Sequence, residues 1–89
     1  MEIVKAGDLV VSVSGRDKGE YLLAIKAEGD RVYLVNGKSR KVNSPKKKNV
    51  RHVEIVKKAV LTELAEEIES GTPVSDKRVW RLINSVIEK

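Results

Sequence analysis

Two apolar runs, residues 9–13 and 21–27, enclose the charged stretch Gly15-Arg16-Asp17-Lys18-Gly19. No other feature restricts the fold as strongly. Leu9, Val11 and Val13 alternate with Val10, Ser12 and Ser14, and such alternation fits a half-buried strand. In the second run Tyr21, Leu23, Ile25 and Ala27 share one face and Leu22, Ala24 and Lys26 the other, so this strand is expected to be covered on both sides. The stretch between must then connect two strands, with a glycine at each end for backbone angles that side chains resist.

The β pattern continues. Glu28-Gly29-Asp30 reads as a turn, after which Val32 and Leu34 point away from Tyr33 and Val35. Asn36-Gly37 is a strong hairpin signal and predicts a return strand over residues 39–42. Pro45 lacks an N–H and interrupts that pairing. A fifth strand is expected over residues 50–55, with Val53 and Ile55 inward. Five short strands joined by tight turns predict a closed or nearly closed barrel, because closure removes exposed edges.

From Lys57 the period changes. Val60, Leu61, Leu64 and Ile68 form one helical stripe, Gly71 is the expected stop and Pro73 bars continuation. Ser75 is placed to cap a second helix, with Val74 and Val79 as a hydrophobic staple. Val79, Leu82, Ile83, Val86 and Ile87 form its stripe, and Trp80 beside it reads as a packing residue. The two stripes can cover each other and the barrel, or meet a partner.

The 18 Lys and Arg exceed the 13 Asp and Glu to give a formal charge of +5. That excess is local: residues 38–58 carry 9 basic groups against Glu54 alone, while the flanking segments are slightly acidic. A solubilising surface mixes both signs, whereas a phosphate backbone rewards such a focus. No cysteine is present, so disulfides and thiolate chemistry are excluded and a cytoplasmic location is expected. No run approaches the roughly 20 apolar residues that cross a bilayer, and Met1-Glu2-Ile3-Val4-Lys5 opens no signal-peptide pattern. No membrane partner is therefore expected.

The candidate RNA contacts fall in three groups: Lys38, Arg40 and Lys41 after the hairpin signal; Lys46, Lys47 and Lys48 after Pro45; and Asn49, Arg51 and His52 at the start of the last strand. Arg16 and Lys18 join them if the first turn and the Pro45 loop share one end of the barrel. Asp17 reads as a turn carboxylate or an ion-pair partner. His52 is the sole histidine and no serine is paired with it, so no catalytic apparatus is indicated. One imidazole without thiolates or a calcium-loop spacing indicates no metal site, and the G-x-x-x-x-G-K-[ST] pattern is absent, so no cofactor is expected. Tyr21, Tyr33 and Trp80 are too few for a broad stacking platform, which favours folded RNA recognised by backbone and shape.

Gly7-Asp8, Val11, Val13 and Gly15-Arg16-Asp17-Lys18-Gly19 resemble the KOW motif of several ribosomal proteins and transcription factors. Asn36-Gly37-Lys38, Arg40-Lys41-Val42 and Pro45-Lys46-Lys47-Lys48-Asn49-Val50-Arg51-His52 extend the likeness to small bacterial KOW-motif RNA-binding proteins similar to an archaeal and eukaryotic large-subunit ribosomal protein. It covers about residues 5–56. The motif glycine corresponds to Gly19 and the basic loop to Arg16 and Lys18, while Leu22 departs from the further glycine many such motifs carry. The resemblance implies a small SH3-like five-stranded barrel of KOW type over residues 1–56; with the two short C-terminal helices that the periodicity predicts within residues 57–89, the expected fold is mainly β. It implies a module that binds structured RNA, ribosomal RNA foremost; with the reading of the residues, a monomeric, non-enzymatic, ribosome-associated protein that can contact ribosomal proteins is expected. The alternative is a protein-interaction adaptor of the transcription or translation machinery, using the helical stripes or Tyr21 and Tyr33.

Overall fold

The first half of the chain forms antiparallel strands β1 (Leu9–Ser12), β2 (Tyr21–Glu28) and β3 (Arg31–Val35), but β1 is not half-buried as its alternation predicts: Leu9, Val10 and Ser12 are all buried and Val11 is half-buried, because both faces of the strand are covered. Strands β4 (Lys46–Asn49) and β5 (Val53–Lys57) follow, separated by a 3-10 turn at Val50–His52. Helices α1 (Thr62–Glu69) and α2 (Asp76–Ile87) complete the order. The computed structural model describes residues 3–88; Met1, Glu2 and Lys89 lie outside the described residues.

A five-stranded antiparallel sheet followed by two helices is present, but the closed SH3-like, KOW-type barrel is not. The strand order is β4-β3-β2-β1-β5, and no ladder joins the edge strands β4 and β5. In a flat sheet these edges would be separated by strand spacings of about 4.8 Å each. The 3-10 turn that links them advances only about 2 Å per residue. The sheet must therefore curl until its edges approach, and it stops short of pairing them. A bulge between Ala24 and Lys26 assists the bend.

Curling buries both faces of the central strands. Leu9, Leu23, Ile25 and Val35 pack on Leu64 and Ala65 of α1 and on Val79, Ile83 and Val86 of α2. Val10, Leu22, Ala24, Val32, Leu34 and Val53 form a second layer with Val4. β2 is thus covered on both sides over residues 22–25, as its composition predicts, while Tyr21 and residues 26–28 are exposed. The helical stripes share the first of these cores with the sheet.

The expected return strand over residues 39–42 does not form. Asn36 Oδ1 accepts the N–H groups of Lys38 and Arg40 at 2.8 and 2.9 Å, and the Asn36 N–H donates to the Arg40 carbonyl at 2.8 Å. The side chain thereby takes up donors that a ladder would need, and the chain closes into a compact loop. β3 pairs instead with Lys46–Asn49, expected to be a loop and the beginning of the last strand. A lysine-rich strand at a sheet edge opposes pairing with other chains, and Pro45 stands just before it, where its missing N–H costs no ladder bond.

The helix ends follow their sequence signals. The Ser75 hydroxyl accepts the Arg78 N–H at 3.1 Å, capping α2. After α1, Gly71 donates to the Ile68 carbonyl and Thr72 to the Glu67 carbonyl, the paired bonds of a Schellman stop. α1 begins later than the period change at Lys57, because Ala59 turns to φ +51° and its N–H is held by Asp8 Oδ1 at 2.8 Å. Among the described residues no helix is long and apolar enough to cross a membrane.

Candidate nucleic-acid interface

The connection between β1 and β2 reaches both sides of the gap that the open sheet leaves. The Val13 N–H donates to the His52 carbonyl at 2.9 Å, just before β5. Lys48 of β4 donates its ammonium to the Ser14 carbonyl at 2.8 Å and to Asp17 Oδ1 at 2.7 Å. Asp17 also accepts the Ser12 hydroxyl at 2.8 Å. The Asp17 and Lys48 side chains are only 5% and 9% exposed, so this pair is an internal latch between the connection and the sheet edge. Burial pushes the Asp17 carboxyl up, but the hydrogen bonds from Lys48 and Ser12 outweigh it and hold the pKa below the ordinary carboxylate value. Asp17 is the ion-pair partner its position suggests, and its Oδ2 is buried without a hydrogen-bond partner.

A second tie joins this connection to the loop after β3. Glu20 Oε1 accepts the Ser39 hydroxyl at 3.0 Å and the Asn36 amide at 3.3 Å. That loop is docked in turn on α2, whose Asp76 Oδ1 accepts the Val42 N–H at 2.8 Å. Gly37, at φ +79°, lies so close to the first turn of α2 that any Cβ would collide with the Asp76 carbonyl. The glycine is required twice, for its dihedral and for this approach.

These ties locate the predicted contact residues. Arg16 and Lys18 are exposed on the central connection, and Lys38 and Lys41 are exposed on the loop that Glu20 holds beside it. Arg40 is half-buried in that loop, with its Nε buried and without a hydrogen-bond partner. Lys46 and Lys48 pair opposite Leu34 and Val32 and share their face of the sheet. Lys46 stays half-exposed, whereas the Lys48 charge is already neutralised by Asp17. Lys47 belongs to the opposite face, its ammonium 5.9 Å from the Tyr33 ring centre, with Lys26 at 5.7 Å. Asn49 Oδ1 accepts the Arg51 N–H at 2.9 Å and so caps the 3-10 turn. His52 is exposed and tied through its carbonyl to Val13 of the β1–β2 connection, while Arg51 borders a separate groove with Ile3, Asp30 and Glu54. Lys47 and Arg51 thus stand apart from the Arg16, Lys18 and Lys38 surface.

Trp80, read from the sequence as a packing residue, is instead exposed. Trp80 is 38% exposed and Tyr21 39%, and both line a groove of about 500 Å³ beside the basic loop. The Lys38 ammonium stands 4.9 Å from the Trp80 ring centre. The signal was present: a residue directly after Val79 is turned about 100° from the buried stripe of α2. Comparison with protein-family models and with curated proteins finds no match to this chain.

Proposed function

We propose that this protein binds structured RNA, ribosomal RNA foremost, through the basic surface around the Gly15–Gly19 connection. The observation that carries this reading is the set of ties around that connection. Glu20 joins it to the Lys38–Lys41 loop, Asp17 to β4, and Val13 to the turn that holds His52. Basic groups separated in sequence thereby come within one neighbourhood, and Lys and Arg grouped in this way are the ordinary means of holding a phosphate backbone. The KOW-like residues point to the same ligand class. The chain acts as a monomeric cytoplasmic binding module and catalyses no reaction.

The adaptor alternative draws less support. It rests on the helical stripes or on Tyr21 and Tyr33; Val79, Ile83 and Val86 are buried against the sheet and Tyr33 packs on the same core, which leaves Tyr21 alone exposed for such a contact.

The test is titration of purified ribosomal RNA at increasing salt. Affinity is expected to fall steeply with salt, and Arg16→Glu with Lys18→Glu to lower it at least about tenfold with unchanged thermal melting. No binding at low salt, or equal binding by the double variant, would overturn the reading.

A further inference from the structure

The Tyr21–Trp80 groove has a composition that the basic surface alone does not explain. Its two exposed aromatics stand at a wall formed by Ile83, Asn84 and Ile87 of α2. The Lys38 ammonium lies over the Trp80 ring, held there because Gly37 and Val42 dock their loop on the first turn of α2. Within the same groove Glu20 uses Oε1 for both Asn36 and Ser39, which leaves Oε2 as an acceptor.

We propose that this groove receives one unstacked nucleobase of the bound RNA, stacked on Trp80, with Lys38 moving from the ring to the adjoining phosphate. The inference rests on the RNA reading above and adds to it a demand for a looped-out nucleotide. Stacking of a base on an aromatic ring is stronger than an exposed cation–π contact, so the exchange of Lys38 for a base is favourable. A carboxylate repels phosphate but accepts an N–H from a base edge, so Glu20 suits the base and Lys38 the phosphate. Charge also favours this occupant over an apolar peptide: the groove adjoins the exposed Lys38 on one side and, through Gly19, Lys18 and Arg16 on the other.

Trp80 is the only tryptophan, so fluorescence excited selectively at tryptophan reports on this groove alone. The experiment compares a stem-loop RNA carrying an unpaired purine loop with a fully paired duplex of equal length. The stem-loop is expected to quench Trp80 on saturation and the duplex to bind without quenching. Trp80→Leu, which keeps the site apolar, is expected to weaken stem-loop binding about ten- to hundredfold while duplex binding stays within about twofold. Tyr21→Leu provides a second variant should the first melt at lower temperature. Stem-loop binding with unchanged fluorescence and unaltered affinity in both variants would overturn the base site and leave the RNA reading standing. Failure of both RNAs to bind at low salt would overturn both. Loss of ribosomal-protein binding in Trp80→Leu, with binding of both RNAs unaltered, would overturn the base site in favour of a protein occupant.

Discussion

The fold contains two buried aspartates, each paired with a lysine far away in sequence, and they are finished differently. Asp8 accepts the Lys5 N–H and the Lys58 ammonium on Oδ2 and the Ala59 N–H on Oδ1, at 2.8 to 2.9 Å, so both oxygens are used. Its lysine remains 33% exposed and also donates to the Ile3 carbonyl. Asp17 concentrates its bonds on Oδ1, leaves Oδ2 unpartnered, and holds a lysine that is itself buried. The first pair fastens the chain before β1 to the junction between β5 and α1, largely through backbone donors. The second fastens β4 to the connection across the gap and depends on a charge. The contrast shows that similar pairs of residue types can differ in how far the lysine matters.

The largest expected effect breaks the second pair. Lys48→Ala leaves the Asp17 carboxylate buried without its counter-charge, which costs about 3–5 kcal/mol in urea or thermal unfolding. A Lys48→Met and Asp17→Leu double variant that removes both charges is expected to recover much of that loss, since no orphaned ion remains. A loss under about 1 kcal/mol for Lys48→Ala would refute the latch.

Acid sharpens the comparison. Burial pushes the Asp8 carboxyl up, and the bonds from Lys58, Ala59 and Lys5 outweigh it, so its pKa, like that of Asp17, is lowered. A carboxylate with a depressed folded pKa contributes its full stability above the unfolded value of about 3.9 and loses it as pH falls through the lower folded value. Unfolding free energy is therefore expected to drop below about pH 4, and Asp8→Asn to flatten part of that decline in a pH series of urea melts. An unaltered acid limb in Asp8→Asn would contradict the linkage.

The smallest expected effect is that of Lys58→Ala. Asp8 keeps its two backbone donors, and truncating Lys58, itself 33% exposed, opens the carboxylate to water, so the cost is expected near 1 kcal/mol or less. A penalty equal to that of Lys48→Ala would erase the distinction between the pairs.

Much of the local structure was legible because it depends on near neighbours. The alternation of residues 9–13 and 21–27, the Ser75 cap and the Gly71 stop all act within a few positions, and each element stands close to its expected place. The return strand was misread because Asn36 satisfies its own loop, a competition that the Asn-Gly pair alone does not reveal. β4 was missed because Lys46, Lys47 and Lys48 have little strand propensity of their own and are held by pairing with β3. Within the candidate interface, the basic focus was legible from charge spacing. The burial of Lys48, the position of Lys47 on the opposite face and the exposure of Trp80 were not, since each depends on what lies across space.

By itself, the order of residues determined the strand and helix periods, the caps and the concentration of positive charge in the middle of the chain. Only the tertiary structure decided that the sheet would remain open, that Asp17 would neutralise Lys48, and that Lys38 would lie over Trp80. The reason is range: periodicity and capping act over one turn or one strand, whereas sheet curvature, ion pairing and groove formation are set by contacts between residues tens of positions apart.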